Sequence, residues 1–160
     1  MRRTLAFAGV VVGVAAAWLL LLPPAPAAQP VAFNHAKHRG MACTVCHRGA
    51  ATVARAGIPQ ADTCLKCHAT APVAQAQGLW DTAAKGTRLA WVRVTRVPDH
   101  VYFSHRRHVG LARLECASCH ADIGARPSPP GRAPARLDMD SCLACHRREG
   151  ASQDCAACHR

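Results

Sequence analysis

The longest apolar run in this chain lies at its start. From Leu5 to Leu22 no charged or polar side chain interrupts it, and Pro23-Pro24 ends it. Met1-Arg2-Arg3 precedes the run, and positive residues before an apolar segment orient an export signal with the arginines in the cytoplasm. Two fates are open to residues 1–28. Ala25-Pro26-Ala27 has the small residues of a cleavage site, as in a signal peptide. The run of 18 residues, however, exceeds the ~7–15 of a signal core and reaches the span of a short membrane helix. Length favours a retained N-terminal hydrophobic helix as an anchor.

Beyond residue 28 the apolar positions become short and scattered, and many are alanine. The alanine-rich stretch 72–85 predicts a weak helix. Leu89-Ala-Trp91-Val-Arg93-Val-Thr95-Arg-Val97 alternates as a short strand does, before Pro98 ends it. Arg126-Pro-Ser-Pro-Pro-Gly131-Arg-Ala-Pro134 reads as an extended, solvated loop whose role is spacing.

The ten cysteines reduce this pattern to one chemistry. They form five C-x-x-C pairs, each followed at once by histidine: Cys43/Cys46-His47, Cys64/Cys67-His68, Cys116/Cys119-His120, Cys142/Cys145-His146 and Cys155/Cys158-His159. This is the attachment signature of c-type haem. Two thiols about one helical turn apart share a face and can both bond the haem vinyl groups, while the adjacent imidazole reaches the iron. Structural zinc combines two such knuckles or adds distant histidines, and gains nothing from a histidine fixed after every pair. Disulfides have no use for that histidine either. Export agrees, since c-type haem is attached outside the bacterial cytosol.

Composition then says what kind of fold is feasible. Residues 29–160 contain few aromatics (Phe33, Trp80, Trp91, Tyr102 and Phe103) and cannot build an ordinary core. Five haems as the core predict a mostly irregular chain, with short α-helices at the motifs wrapped around stacked haems and almost no sheet. The net charge of +11 suggests nucleic acid only until the cofactors are counted. Without Arg2 and Arg3 there remain 18 basic against 9 acidic side chains. Ten propionates and five ferric centres bring the total to about +4 oxidised and about −1 reduced. The arginines are then propionate partners, and no nucleic-acid partner is implied.

An imperfect duplication organises the domain into units 31–68 and 101–146, with the fifth motif at 155–159. Phe33-Asn-His35-Ala-Lys-His38 opens the first unit and Phe103-Ser-His105-Arg-Arg-His108 the second. Each unit carries a second motif with a matching lead-in, Asp62-Thr63 and Asp140-Ser141, read as helix caps. Ten histidines are present. Five lie in the motifs, and His35, His38, His100, His105 and His108 remain, one per haem. Histidines at i and i+3 diverge enough to serve two haems, the one that follows and one further along. Met41 and Met139 are thioether alternatives, for which packing in a haem pocket is the simpler role. Phe33 and Phe103 are expected edge-on to haem.

F-x-H-x-x-H followed by C-x-x-C-H resembles the class III, or cytochrome c3-like, multihaem family. Trp91 to His105 and Leu137 to Arg147 are similar, more narrowly, to the pentahaem subunit of Alternative Complex III and of periplasmic quinone-reductase complexes. That resemblance spans roughly residues 30–147. It implies electron transfer on the periplasmic side of the membrane, between quinone-linked or iron–sulfur membrane subunits and a periplasmic carrier. No phosphate loop, nucleophile elbow or acid–base carboxylate pair suggests protein-borne catalysis. A free periplasmic shuttle, a multihaem reductase and an independent quinol dehydrogenase are the competing roles.

Overall fold

The computed structural model describes residues 9–14, 18, 21–69 and 76–159. Among them, α-helices run over Cys43–Cys46, Ala61–His68, Ala76–Ala84, Ala117–His120, Met139–Arg148 and Cys155–Cys158. Each C-x-x-C-H therefore has a helix of its own, with His47, Cys116 and His159 at the caps, as the need to bring two thiols to one face requires. Short 3₁₀ turns occupy His35–His38 and Ile123–Ala125, and a π-helical turn spans Arg106–Leu111. Of the expected helix over 72–85, Ala76–Ala84 is helical and 72–75 lies outside the described residues.

The capping differs from the sequence expectation. Helix Met139–Arg148 begins before Asp140, so its cap is Asp138: the Asp138 carboxylate accepts from Ser141 N at 2.9 Å, and the Ser141 hydroxyl accepts from Asp138 N at 2.9 Å. Asp140 lies in the first turn, where a negative charge favours the helix dipole. Helix Ala61–His68 likewise starts ahead of Asp62, at Gln60, and has no side-chain cap. Asn34 and Asp154 cap the 3₁₀ turn His35–His38 and the last motif helix.

No strand forms among the described residues; the single bridge joins Val101 to His159. Residues 89–97 find no ladder partner, and side chains satisfy their backbone instead. Gln29 brackets Val92, accepting from its N–H at 3.0 Å and donating to its carbonyl at 2.9 Å. Leu89 N donates to Gln60 Oε1, and the Trp91 indole donates to Pro59 O, both at 2.8 Å. The segment thus covers the approach to helix Ala61–His68. The proline-rich loop does more than space the motifs. Ala27 N donates to Gly131 O, Gln29 to Pro130 O and Arg132 to Pro24 O, so the loop holds the N-terminal segment.

Residues 9–14 are helical. Among the described residues no helix is long and apolar enough to cross a membrane; the expected helix over the 5–22 run lies partly outside them.

Ordinary core is almost missing. Among the described residues only Ala50, Ala61 and Leu79 are buried apolar side chains, and no large side chain is fully buried. Met41 and Met139 are 44% and 63% exposed. What holds the halves together is a reciprocal exchange. The turn His35–His38 packs on Ile123–Ala125, just after the third motif, with Ala36 N donating to Arg126 O at 3.0 Å and Arg39 paired to Asp122 at 3.3 Å. In return, the loop after the first motif packs on the second F-x-H-x-x-H. His105 N donates to Ala54 O at 3.0 Å and Arg106 N to Val53 O at 3.1 Å.

Candidate cofactor sites

The two F-x-H-x-x-H segments repeat the same ring contacts. Phe33 meets His35 edge-on at 4.7 Å and stacks on His38 at 4.5 Å. Phe103 meets His105 edge-on at 4.8 Å and stacks on His108 at 4.5 Å. Each phenylalanine therefore sets the orientation of two imidazoles. His38 Nδ1 lies 2.8 Å from Asn34 O, and His108 Nδ1 lies 2.9 Å from Ser104 O. The units diverge after this point, because three more residues separate His108 from Cys116 than His38 from Cys43. The π-helical turn Arg106–Leu111 takes up part of that excess.

Nδ1 contacts set the chemistry of five histidines. Nδ1 of His38, His47, His105, His108 and His146 each faces a backbone carbonyl. A carbonyl can only accept, so Nδ1 carries the proton and Nε2 presents a lone pair. That is the tautomer a metal ligand needs, held by the partner typical of ligating histidines. His35 and His68 instead have buried Nδ1 atoms without a partner.

Tertiary structure pairs the histidines across the chain. His38 faces His68 at 6.0 Å between ring centroids, His105 faces His120 at 6.3 Å and His108 faces His146 at 6.2 Å. His100 stacks on His159 at 5.4 Å. His35 lies beside His47, whose proximity, after burial, lowers the His35 pKa. Ring contacts thus pair four motif histidines, His68, His120, His146 and His159, with His38, His105, His108 and His100, while the fifth, His47, is close enough to His35 to act on it electrostatically. Two imidazoles flanking one metal, with bonds of about 2.0 Å and ring radii of about 1.1 Å, stand about 6.2 Å apart. Three of the measured pairs have that spacing, and His100–His159 is tighter.

Among the described residues no three His, Cys, Asp or Glu side chains converge on one point. Two imidazoles per site fit a metal whose other four positions a porphyrin fills. All ten cysteines are free thiols, as covalent attachment requires. A small cavity in the second unit brings the set together: Phe103, His105, His108, Cys116, Cys119 and His120 line it. A larger cleft between helix Ala76–Ala84 and residues 30–32 holds none of the motif residues. The donors present therefore fit c-type haem, with Cys43, Cys46, Cys64, Cys67, Cys116, Cys119, Cys142, Cys145, Cys155 and Cys158 as attachment points.

Thiols of different motifs crowd one another. Burial pushes the Cys64 thiol up, with Cys46 as the next cause. Burial and then the Cys43 thiol raise Cys116. Burial with Cys145 and Cys142 raises Cys119, and burial with Cys158 raises Cys142. Sequence reasoning did not find the residues that hold the imidazoles: Asn34, Ala54, Gly57, Ser104 and Ser152 act through backbone carbonyls, which leave no side-chain signature.

The fold and donor set define a protein built to carry several c-type haems, and the comparisons agree. Residues 21–95 match the class III cytochrome c family, and residues 101–160 match cytochrome c7 and related cytochromes c. The two halves of the chain thus match class III, cytochrome c3/c7-type, family models one after the other. The chain is similar to the menaquinone reductase multihaem cytochrome c subunit of Nitratidesulfovibrio vulgaris (strain Hildenborough), at 26% identity over 161 residues. That alignment covers 82% of this chain and 77% of the relative.

Proposed function

We propose that this cytochrome holds five covalently bound haems, each with two histidine ligands, and relays electrons as a subunit of a membrane quinone-linked respiratory complex. The observation that carries the reading is the facing of four motif histidines by His38, His100, His105 and His108, which leaves His35 for the fifth, His47. Bound haem iron supplies reversible one-electron chemistry. The chain's residues attach the cofactors, fix the imidazole tautomers and limit water access; none of them makes or breaks a substrate bond. The histidine pairing leaves no ligand position for substrate, which disfavours a reductase.

The relative's name supports menaquinone as the quinone served. The arginines before the apolar run support export, and the length of that run supports retention at the periplasmic face of the membrane. Intact mass of protein matured in a host that attaches haem is expected to show five haems. Detergent purification from the native membrane is expected to retain integral or iron–sulfur subunits. Fewer haems, or recovery only from the soluble periplasm, overturns the respective part of the proposal.

A further inference from the structure

The segment that follows the apolar run is docked on the domain and is not a free tether. Pro24 O accepts from the Arg132 guanidinium, Ala27 N donates to Gly131 O at 2.8 Å, and Gln29 Nε2 donates to Pro130 O at 3.0 Å. The two stretches therefore run antiparallel. A Cβ on Gly131 would stand 2.7 Å from Pro26 Cβ and 3.0 Å from Ala27 O, so the close approach depends on the missing side chain. Gln29 also holds Val92 through both its N–H and its carbonyl, which brings residues 89–97 to the same place.

We propose that this face, centred on Arg132 and extended by Arg93, binds the anionic phospholipid head groups of the bilayer that holds the apolar run. The inference rests on the retention of that run proposed above. Pro24 is two residues beyond Leu22, which is at most about 7 Å of chain. The head-group layer outside the hydrocarbon core is about 5–7 Å thick on each side. An arginine bonded to Pro24 is thereby placed at the depth of the lipid phosphates. Trp18, Leu21 and Leu22 are 68%, 81% and 55% exposed, as side chains that lipid covers would be. A tryptophan near the end of such a run also suits the membrane interface.

The charge fits that occupant. Residues 82–98 and 127–135 contain Lys85, Arg88, Arg93, Arg96 and Arg132, all exposed, and no aspartate or glutamate. None of these five takes part in the ion pairs found among the described residues. Arg126, by contrast, lies beside His35 and belongs with the cofactor sites. Arg132 gives one guanidinium N–H to Pro24 and keeps the others for a phosphate, which a guanidinium binds through two parallel bonds. Arg93 follows Val92, and Arg132 lies two residues past Pro130. The shared Gln29 amide therefore keeps the two arginines in one neighbourhood. Attraction between exposed charges fades beyond about 8–10 Å, so the short chain from Leu22 to Pro24 is what makes Arg132 the centre of the contact.

The test is arginine labelling of the haem-loaded full chain in lipid nanodiscs, with phenylglyoxal as reagent and peptide mass spectrometry as readout. Replacing phosphatidylcholine by phosphatidylglycerol is expected to slow labelling of Arg132 and Arg93 about fivefold, and high salt to reverse the effect. Arg147 and Arg148, at the end of helix Met139–Arg148, are the reference and should not respond. Equal labelling rates in the two lipids overturn the proposal and leave the anchoring intact. Protection that ignores the lipid and needs co-purified membrane subunits assigns the face to an acidic protein and overturns it as well. So does a redox titration that shifts in Arg132→Gln while labelling is indifferent to lipid, since Arg132 is then a propionate partner. A mature chain from the native membrane that begins after Ala28 overturns the retention reading and this proposal together.

Discussion

The imidazoles of His105 and His120 lie 6.3 Å apart with their planes within 2° of parallel. One ring comes from the turn after Phe103 and the other closes the third C-x-x-C-H. Nothing in the chain holds them directly together. Phe103 fixes the first ring, the Ala54 carbonyl orients its Nδ1, and helix Ala117–His120 presents the second. The gap between them would suit an iron held by both rings, as proposed above.

Removing one ring should expose that iron. His105→Ala leaves His120 as sole axial protein ligand at the Cys116/Cys119 site. One haem in five is expected to become high-spin in the electron paramagnetic resonance spectrum, with haem content by mass unchanged. Added imidazole is expected to restore the low-spin signal. A wholly low-spin spectrum in the variant would show that His105 is not a ligand.

His100→Met tests the appended site. Methionine in place of a histidine ligand raises a haem's potential. A redox titration is expected to move about one fifth of the absorbance change to more positive potential, as one site of five requires. An unaltered titration curve would assign His100 to the surface.

Two glycines should respond oppositely to alanine. At Gly110 a new Cβ would run into the Ala51 backbone carbonyl at the junction of the halves, which cannot move cheaply. Gly110→Ala is expected to lower the thermal midpoint and the yield of haem-loaded protein. At Gly78, inside helix Ala76–Ala84, a Cβ meets nothing within 4 Å. Gly78→Ala should stabilise by about 0.5–1 kcal/mol, from helix propensity and lost chain entropy. Equal effects in denaturant melts would refute the junction argument.

Acid should weaken the fold from a definite side. Burial, then His47, His38 and Arg126, holds the His35 pKa below 6.5, and burial with His105 and His47 does the same for His120. The folded chain binds fewer protons at these positions than the unfolded chain. Their contribution is therefore complete above about pH 6.5 and is lost as the pH falls below it. Thermal midpoints are expected to be flat above about pH 7 and to fall on acidification, with high-spin absorbance appearing alongside. A midpoint that rose on acidification through this range would contradict the assignment.

Asp138→Ala removes the capping box of helix Met139–Arg148. The partly buried carboxylate, held below its usual pKa by hydrogen bonds from Ser141 and then by Arg136, strengthens the cap once ionised. The variant is expected to melt a few degrees lower, and the difference is expected to vanish at acidic pH, where wild type loses the charge as well. Asp140→Ala serves as the comparison and should have the smaller effect.

Some of this was legible without coordinates. Spacing is what marks the ten cysteines as proposed attachment points, because the chemistry of two thioethers and one axial bond demands fixed residue types at fixed offsets. Counting histidines limits the second ligands to five, and the scarcity of large apolar residues rules out an ordinary core. Local pattern failed where partners lie far along the chain. Residues 89–97 alternate like a strand, yet their N–H groups find Gln29 and Gln60, and no neighbouring strand arrives. Asp62 and Asp140 look like caps, yet the helices begin one turn earlier than the cysteines alone suggest.

The sequence by itself determined the ten thiols, the ten imidazoles and the duplicated F-x-H-x-x-H that presents four of the latter, since covalent chemistry is local. Only the tertiary structure decided which imidazole faces which and which motifs are neighbours. Those relations arise where the turn His35–His38 packs on Ile123–Ala125 and the loop at Ala54 packs on His105. They are backbone contacts between distant segments, and spacing along a chain carries no record of them.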